Sequence, residues 1–306
     1  MILPAILMAF GSVGSAPSVS PPIECTLPDG WSEATRADPH YIVFGEKHGT
    51  REGPALVSEI ACALSRRGEA LLVALELSAD QDAALQAAWE QPRATFSQVL
   101  LDTMPDWRQR DDGVTSRAML ELLVELHALK ESGATVDVVA FNGVRDEAQR
   151  ARFADLPMQG PHEAAQAENI RIANANGRYD RALVLVGGLH ARKQRYELQG
   201  VTFEPMAMKL APASEVLSLR MIYGKGTGWN CQLREDASVA PGEPVYSTDL
   251  SCSAHPLEGR EGPTGAVAVG LWPTDWQKDG DDRWDGYAWV GTAHASPPAI
   301  VGAGES

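Results

Sequence analysis

Two histidines and two glutamates carry the chemistry that this sequence offers most clearly. Gly45-Glu46-Lys47-His48 and Gly187-Gly188-Leu189-His190 each place an imidazole three residues after a glycine, and Glu76 directly follows the apolar run Leu71–Leu75. Two imidazoles with one or two carboxylates form a ligand set suited to Zn²⁺, Mn²⁺ or a similar divalent ion. The same groups also suit metal-free hydrolysis, in which a His beside a carboxylate acts as general base on water and the carboxylate fixes its tautomer. In a hydrolase, His48 would be the base or a metal ligand, and Glu46 and Glu76 would orient imidazoles or bind metal. His190 would complete the metal site or polarise the substrate. A single His after a strand commonly has only a structural role. Glu76 is harder to dismiss, because a carboxylate at the end of an apolar strand is costly to bury without a partner.

These residues need elements to position them. Tyr41–Phe44, Leu71–Leu75, Val136–Phe141 and Ala182–Val186 are short apolar runs that read as buried strands. Between them, Leu56, Ile60 and Leu64 recur at four-residue spacing. Met119, Leu122, Leu123, Leu126 and Leu129 mark a second amphipathic helix over Arg117–Lys130, and His162–Asn176 reads as a third. Ser78 and Gln81 resemble a capping box that opens a helix towards Trp89. Strands alternating with helices predict an α/β fold, a mostly parallel sheet covered by helices on both faces. In such sheets ligands bind beyond the carboxyl ends of the strands. Glu46, His48, Glu76 and His190 all fall there. Asn142 and Arg145 follow the third strand and are candidates for orienting a substrate. Gly45, Gly187 and Gly188 would give room for a ligand beside the following His.

The pattern Gly-x-x-His, Glu, Gly-x-x-His resembles the superfamily that groups Tiki-type proteases, the TraB family, ChaN-like haem-binding proteins and erythromycin esterases. The resemblance spans roughly residues 39–210. Ala167-Glu168-Asn169-Ile170 is similar to the helix that precedes the second motif in many members. An Arg or Lys often stands a few residues earlier there; this chain has His162 and Glu163 instead. The resemblance implies a ChaN/erythromycin esterase-like fold. Its members divide on function: metal-dependent peptidases, esterases with a His base and no required metal, and haem carriers for iron uptake. For this chain it implies a hydrolase of an ester or peptide, with a haem-binding protein as the alternative. The partners would be a small molecule or peptide, or haem.

The rest of the chain sets bounds. A formal net charge of −15 argues against nucleic acid as a partner. No apolar run is long enough for a membrane span, and neither a Walker loop nor a Rossmann glycine pattern supports a nucleotide. Residues 1–20 read as a signal peptide, which implies export to a periplasmic or extracellular space. Residues 39–223 then form the α/β domain, 224–294 an irregular β-rich extension, and 295–306 a disordered tail. Of four cysteines, Cys231 and Cys252 flank a Gly- and Pro-rich stretch and are expected to be bridged. Cys62 lies in a helix pattern and reads as a small core residue, though a bridge to Cys25 stays open. Trp272, Trp276, Trp284 and Trp289 are expected to pack a small β structure, and Asp279, Asp281, Asp282 and Asp285 to form a solvated acidic turn.

Overall fold

The computed structural model describes residues 25–300 apart from 176, 199, 238–246, 263–265, 274–277 and 279. The expected signal peptide lies outside the described residues. Among the described residues, eleven strands follow in chain order: β1 Tyr41–Glu46, β2 Leu71–Ser78, β3 Val136–Asn142, β4 Arg181–Gly187, β5 Tyr196–Leu198, β6 Val201–Phe203, β7 Val216–Gly224, β8 Gly226–Leu233, β9 Leu250–Leu257, β10 Ala268–Leu271 and β11 Gly286–Thr292. Seven form one sheet in the order β10-β11-β7-β1-β4-β2-β3. All its pairings are parallel except β10 with β11.

Strand alternation divides the core in two. Ile42, Phe44, Leu71, Val73, Leu75, Leu183 and Leu185 point to one face, where they pack with helices Glu52–Arg66 and Arg117–Glu131. Tyr41, Val43, Leu72, Ala74, Ala182, Val184 and Val186 point to the other, against helix Gly160–Asn174. Burial on both faces explains why these strands read as unbroken apolar runs rather than alternating ones. Helix Arg117–Glu131 starts at Ser116, whose Oγ accepts from Met119 N–H (3.3 Å). Its His127 is buried, stacked on Phe96 with ring centroids 4.2 Å apart.

Three expectations need correction. Ser78 and Gln81 do not cap the following helix. Both side chains donate to the buried Asp106 carboxylate instead (2.5 and 2.7 Å), and a short 3₁₀ turn intervenes. Asp281 is not solvated: it is fully buried between Arg220 (2.7 Å) and Arg260 (2.9 Å). Residues 295–300 are not loose. Ser296 N–H donates to Gly49 C=O, its Oγ accepts from Ala118 N–H, and Pro297 C=O accepts from Arg117 N–H. Residues 301–306 lie outside the described residues.

The stretch from 224 onward divides. β8 and β9 pair as a separate antiparallel hairpin, while β10 and β11 extend the main sheet beyond β7. Val269, Ala288 and Val290 thereby join the main core. Trp284 and Trp289 are buried and Trp272 packs beside Tyr287; Trp276 lies outside the described residues. Cys231 and Cys252 face each other across the hairpin and are bonded, and Cys25 is bonded to Cys62, tying the chain before β1 to helix Glu52–Arg66. No described helix is long and apolar enough to cross a membrane.

Candidate active site

β1, β4 and β2 are neighbours in the sheet, so their carboxyl ends bring Glu46, Gly187 and Glu76 side by side. The loops that follow β1 and β4 add His48 and His190. The result is an alternating row of carboxylates and imidazoles. His48 Nδ1 is 3.0 Å from Glu46 Oε1, and His48 Nε2 is 3.2 Å from Glu76 Oε2. His190 Nε2 lies 3.4 Å from the other Glu76 oxygen, and His190 Nδ1 lies 2.7 Å from Glu163 Oε1. Glu76 is thus the bridge between the imidazoles, and Gly187 N–H also donates to it (2.6 Å). The carboxylates are buried, whereas the side chains of His48 and His190 stay 25% and 18% exposed. Solvent therefore meets the imidazoles first.

Two glycines make this closeness possible. A Cβ on Gly187 would lie 3.0 Å from His48 Nε2 and 3.5 Å from Glu76 Oε2. The space after β4 is filled by the cluster's own side chains. A Cβ on Gly53, in the helix after β1, would lie within 2.4 Å of Glu46 Oε2, a buried oxygen with no hydrogen-bond partner among the described residues. The loop carrying His48 is held from several sides. Lys47 N–H donates to the buried Tyr223 hydroxyl (3.2 Å), and Gly49 C=O accepts from Trp229 N–H in the hairpin (2.9 Å).

The electrostatics follow from this row. Burial opposes the charged form of His48, but Glu76 and Glu46 outweigh it and hold the imidazolium well above its ordinary range. His190 is raised too: burial again opposes, Glu163 and Glu76 win, and the positive charge on His48 subtracts from the gain. Burial pushes the Glu76 carboxyl up, yet His48 and His190 together bring it down to about 2.

Sequence reasoning missed Glu163 as the partner of His190. Glu163 is fully buried, and its second oxygen accepts from Met206 N–H (2.7 Å). The signal was present: Glu163, Ala167 and Ile170 share one face of the helix by their spacing, so a carboxylate stands on a stripe that faces the core. The neighbouring His162 ring centre lies 5.5 Å from that of His190. Burial and the charge on His190 keep His162 below its ordinary value. Arg110, in an irregular loop, was also missed. It pairs with Asp112 (2.7 Å), and its pKa is raised because Asp112, Asp106 and Glu76 outweigh its burial.

The two proposed substrate-orienting residues part company. Asn142 Oδ1 accepts from Gln166 Nε2 (2.9 Å), which also lies 3.0 Å from His162 Nε2, so Asn142 is linked to His162, whose ring stands beside the row, and not to the row itself. The Arg145 guanidinium is taken by Asp146 (3.0 Å).

The donor set tests the metal option. Each ring nitrogen of His48 and His190 already faces a carboxylate. Among the described residues, only Asp111, Cys231 and Cys252 bring three potential ligand atoms within 4.8 Å of one another, and both sulfurs there are disulfide-bonded. Glu46, His48, Glu76 and His190 are therefore arranged to neutralise one another rather than to converge on an ion.

No family model and no curated protein matches the sequence. Solved structures do. A mutant of the erythromycin esterase EreC in its open conformation aligns over 89% of this chain and 95% of its own, with TM-score 0.62 and 12% identity. A Bacillus cereus protein aligns over 88% and 92% with TM-score 0.55 and 10% identity. A succinoglycan biosynthesis protein aligns over 87% and 91% with TM-score 0.55 and 8% identity. At such identities the likeness establishes the fold, and the fold is erythromycin esterase-like, as the Gly-x-x-His resemblance implied.

Proposed function

We propose that this chain, built on an erythromycin esterase-like fold, is an exported hydrolase that opens an ester with water by acid–base chemistry of its two imidazoles. The observation that carries the proposal is the row Glu46–His48–Glu76–His190–Glu163, with its carboxylates buried and its imidazoles reaching solvent. A neighbour of the same fold that bears the name erythromycin esterase, and two disulfides of the kind common in oxidising compartments, support the reading.

The environments of the two imidazoles divide the work between them. His48, held as imidazolium between Glu46 and Glu76, stabilises negative charge on the carbonyl oxygen. His190, oriented by the buried Glu163, acts as the base. Glu163 fixes the His190 tautomer with Nε2 towards the reacting side, and Glu46 does the same for His48. Attack of water on the carbonyl then transfers its proton to His190, which returns it to the leaving alkoxide.

A panel of chromogenic esters assayed with and without a chelator tests this. Hydrolysis should survive the chelator and disappear in His190→Ala and Glu76→Gln. Stoichiometric zinc or manganese lost together with activity in His48→Ala would overturn the metal-free mechanism. A Soret band on adding haemin, absent in His190→Ala and unaccompanied by ester hydrolysis, would replace it with the haem-binding reading.

A further inference from the structure

Beside the row of imidazoles, on the other side of β1, lies a concentration of arginines in a chain whose net charge is −15. Arg220 of β7 is in register with Gly45 of β1, and the Trp284 indole lies 3.4 Å from where a Gly45 Cβ would stand. Arg192 follows His190 by two residues, which a backbone spans in roughly 7 Å at most. The Arg192 guanidinium stacks 4.6 Å from the Tyr196 ring centre and 5.4 Å from that of Trp284, and Arg220 lies 4.9 Å from Trp284.

The carboxylates do not balance these charges. Asp281 is shared by Arg220 and Arg260. Asp285 is bound by Lys193 at 2.8 Å, and Asp282 accepts from Gln194 at 3.2 Å. That leaves Arg192 and Arg283 with no carboxylate partner among the described residues, and Arg192 Nε is buried with no acceptor. Lys193 N–H donates to Arg283 C=O (2.7 Å), which sets Arg283 beside the backbone that follows Arg192, and burial with the Arg283 and Arg220 charges holds Arg192 below its ordinary value. Aromatic stacking makes such crowding tolerable but gives the guanidinium protons no acceptor. An oxyanion would supply one.

We propose that Arg192, Arg220 and Arg283 form an anion subsite next to the catalytic row, which takes a carboxylate or phosphate group carried by the substrate. The substrate is then an ester with an acidic substituent near the scissile bond. This deepens the hydrolase reading and rests on it for the word substrate, whereas the affinity for an oxyanion does not.

The test uses the full chain and two readouts. Calorimetric titration with inorganic phosphate at low ionic strength should give saturable binding, weakened roughly ten-fold or more in Arg192→Gln and in the exposed Arg283→Gln, with Arg192→Lys in between. No saturable binding, or wild-type affinity in both glutamine variants, overturns the subsite. The second readout compares two esters that differ only in a carboxylate on the acyl chain. The ratio of their kcat/KM values, acidic over neutral, should fall by a similar factor in Arg192→Gln. Phosphate binding with an unchanged ratio would mean a site for free anions and overturn the substrate assignment. If neither ester is cleaved, the hydrolase reading fails, and the titration alone still decides the subsite.

Discussion

Replacing Glu76 by Gln removes one charge from the middle of the row and changes almost nothing in shape. Gln keeps an oxygen for Gly187 N–H, but it cannot balance the two imidazolium ions. Glu76 is held at about 2 against an ordinary 4.5, a shift of about 2.5 units, which corresponds to about 3 kcal/mol of favourable interaction. The raised histidines report the same coupling from the other side and are not added to it. The signs give a pH window. Glu76 is depressed in the folded protein, so its contribution is present above about 4.5 and lost as pH falls towards 2. His48 and His190 are raised, so theirs is complete below the ordinary 6.5 and lost as pH rises through their folded values. Wild type and Glu76→Gln should therefore differ most between about pH 4.5 and 6.5, by about 3 kcal/mol or roughly 5–10 °C in Tm. The gap should narrow on both sides. Urea melts at about pH 2.5, 5.5 and 9 measure it. A gap of constant size across this range would mean that Gln merely packs badly, and it would refute the charge-balance argument.

Further outcomes follow from the same geometry. Because His190 must lose its proton to act as base and its pKa is raised, kcat/KM should climb as pH rises above 6.5, and Glu163→Gln should move that limb to lower pH; a pH–rate profile reads this directly. His48→Ala and His190→Ala should each lower kcat by roughly 10²–10⁴ with unchanged circular dichroism, and a smaller loss would take them out of the chemistry. Gly187→Ala pushes a methyl group towards His48 Nε2 and should cost about 1–3 kcal/mol of stability along with most activity, measured by melting and ester turnover. Reducing Cys25–Cys62, which closes 37 residues, should destabilise the fold by about 4 kcal/mol, and reducing Cys231–Cys252, which closes 21, by about 3 kcal/mol; Cys→Ser pairs compared by urea unfolding check both.

The sequence disclosed strands buried on both faces well, because Tyr41–Phe44, Leu71–Leu75 and Ala182–Val186 are apolar without interruption. It located Glu46, His48, Glu76 and His190 because each stands where such a run stops. What it could not disclose was partnership. Glu163 lies in a helix more than twenty residues before His190, and only the packing of that helix on β3 and β2 brings the carboxylate to the imidazole. Arg110 belongs to no periodic segment. Local rules failed where a distant residue prevailed over the local one: Ser78 and Gln81 have the spacing of a cap, yet instead of accepting from backbone N–H groups both donate to the buried Asp106 carboxylate in charge-assisted bonds. β10 and β11 were hidden because one is short and the other is bounded by glycines and lined with Trp and Tyr, so neither shows a clean pattern.

The strap formed by residues 294–297 has a consequence for when this molecule becomes competent. Arg51 N–H is bound by His294 C=O, Gly49 C=O by Ser296 N–H, and the first turn of helix Arg117–Glu131 by Ser296 and Pro297. The segment bearing His48 is fastened by amino acids that follow every strand of the main sheet in the chain. A variant ending at Thr292 should therefore keep its secondary structure while losing turnover, read by circular dichroism and ester hydrolysis.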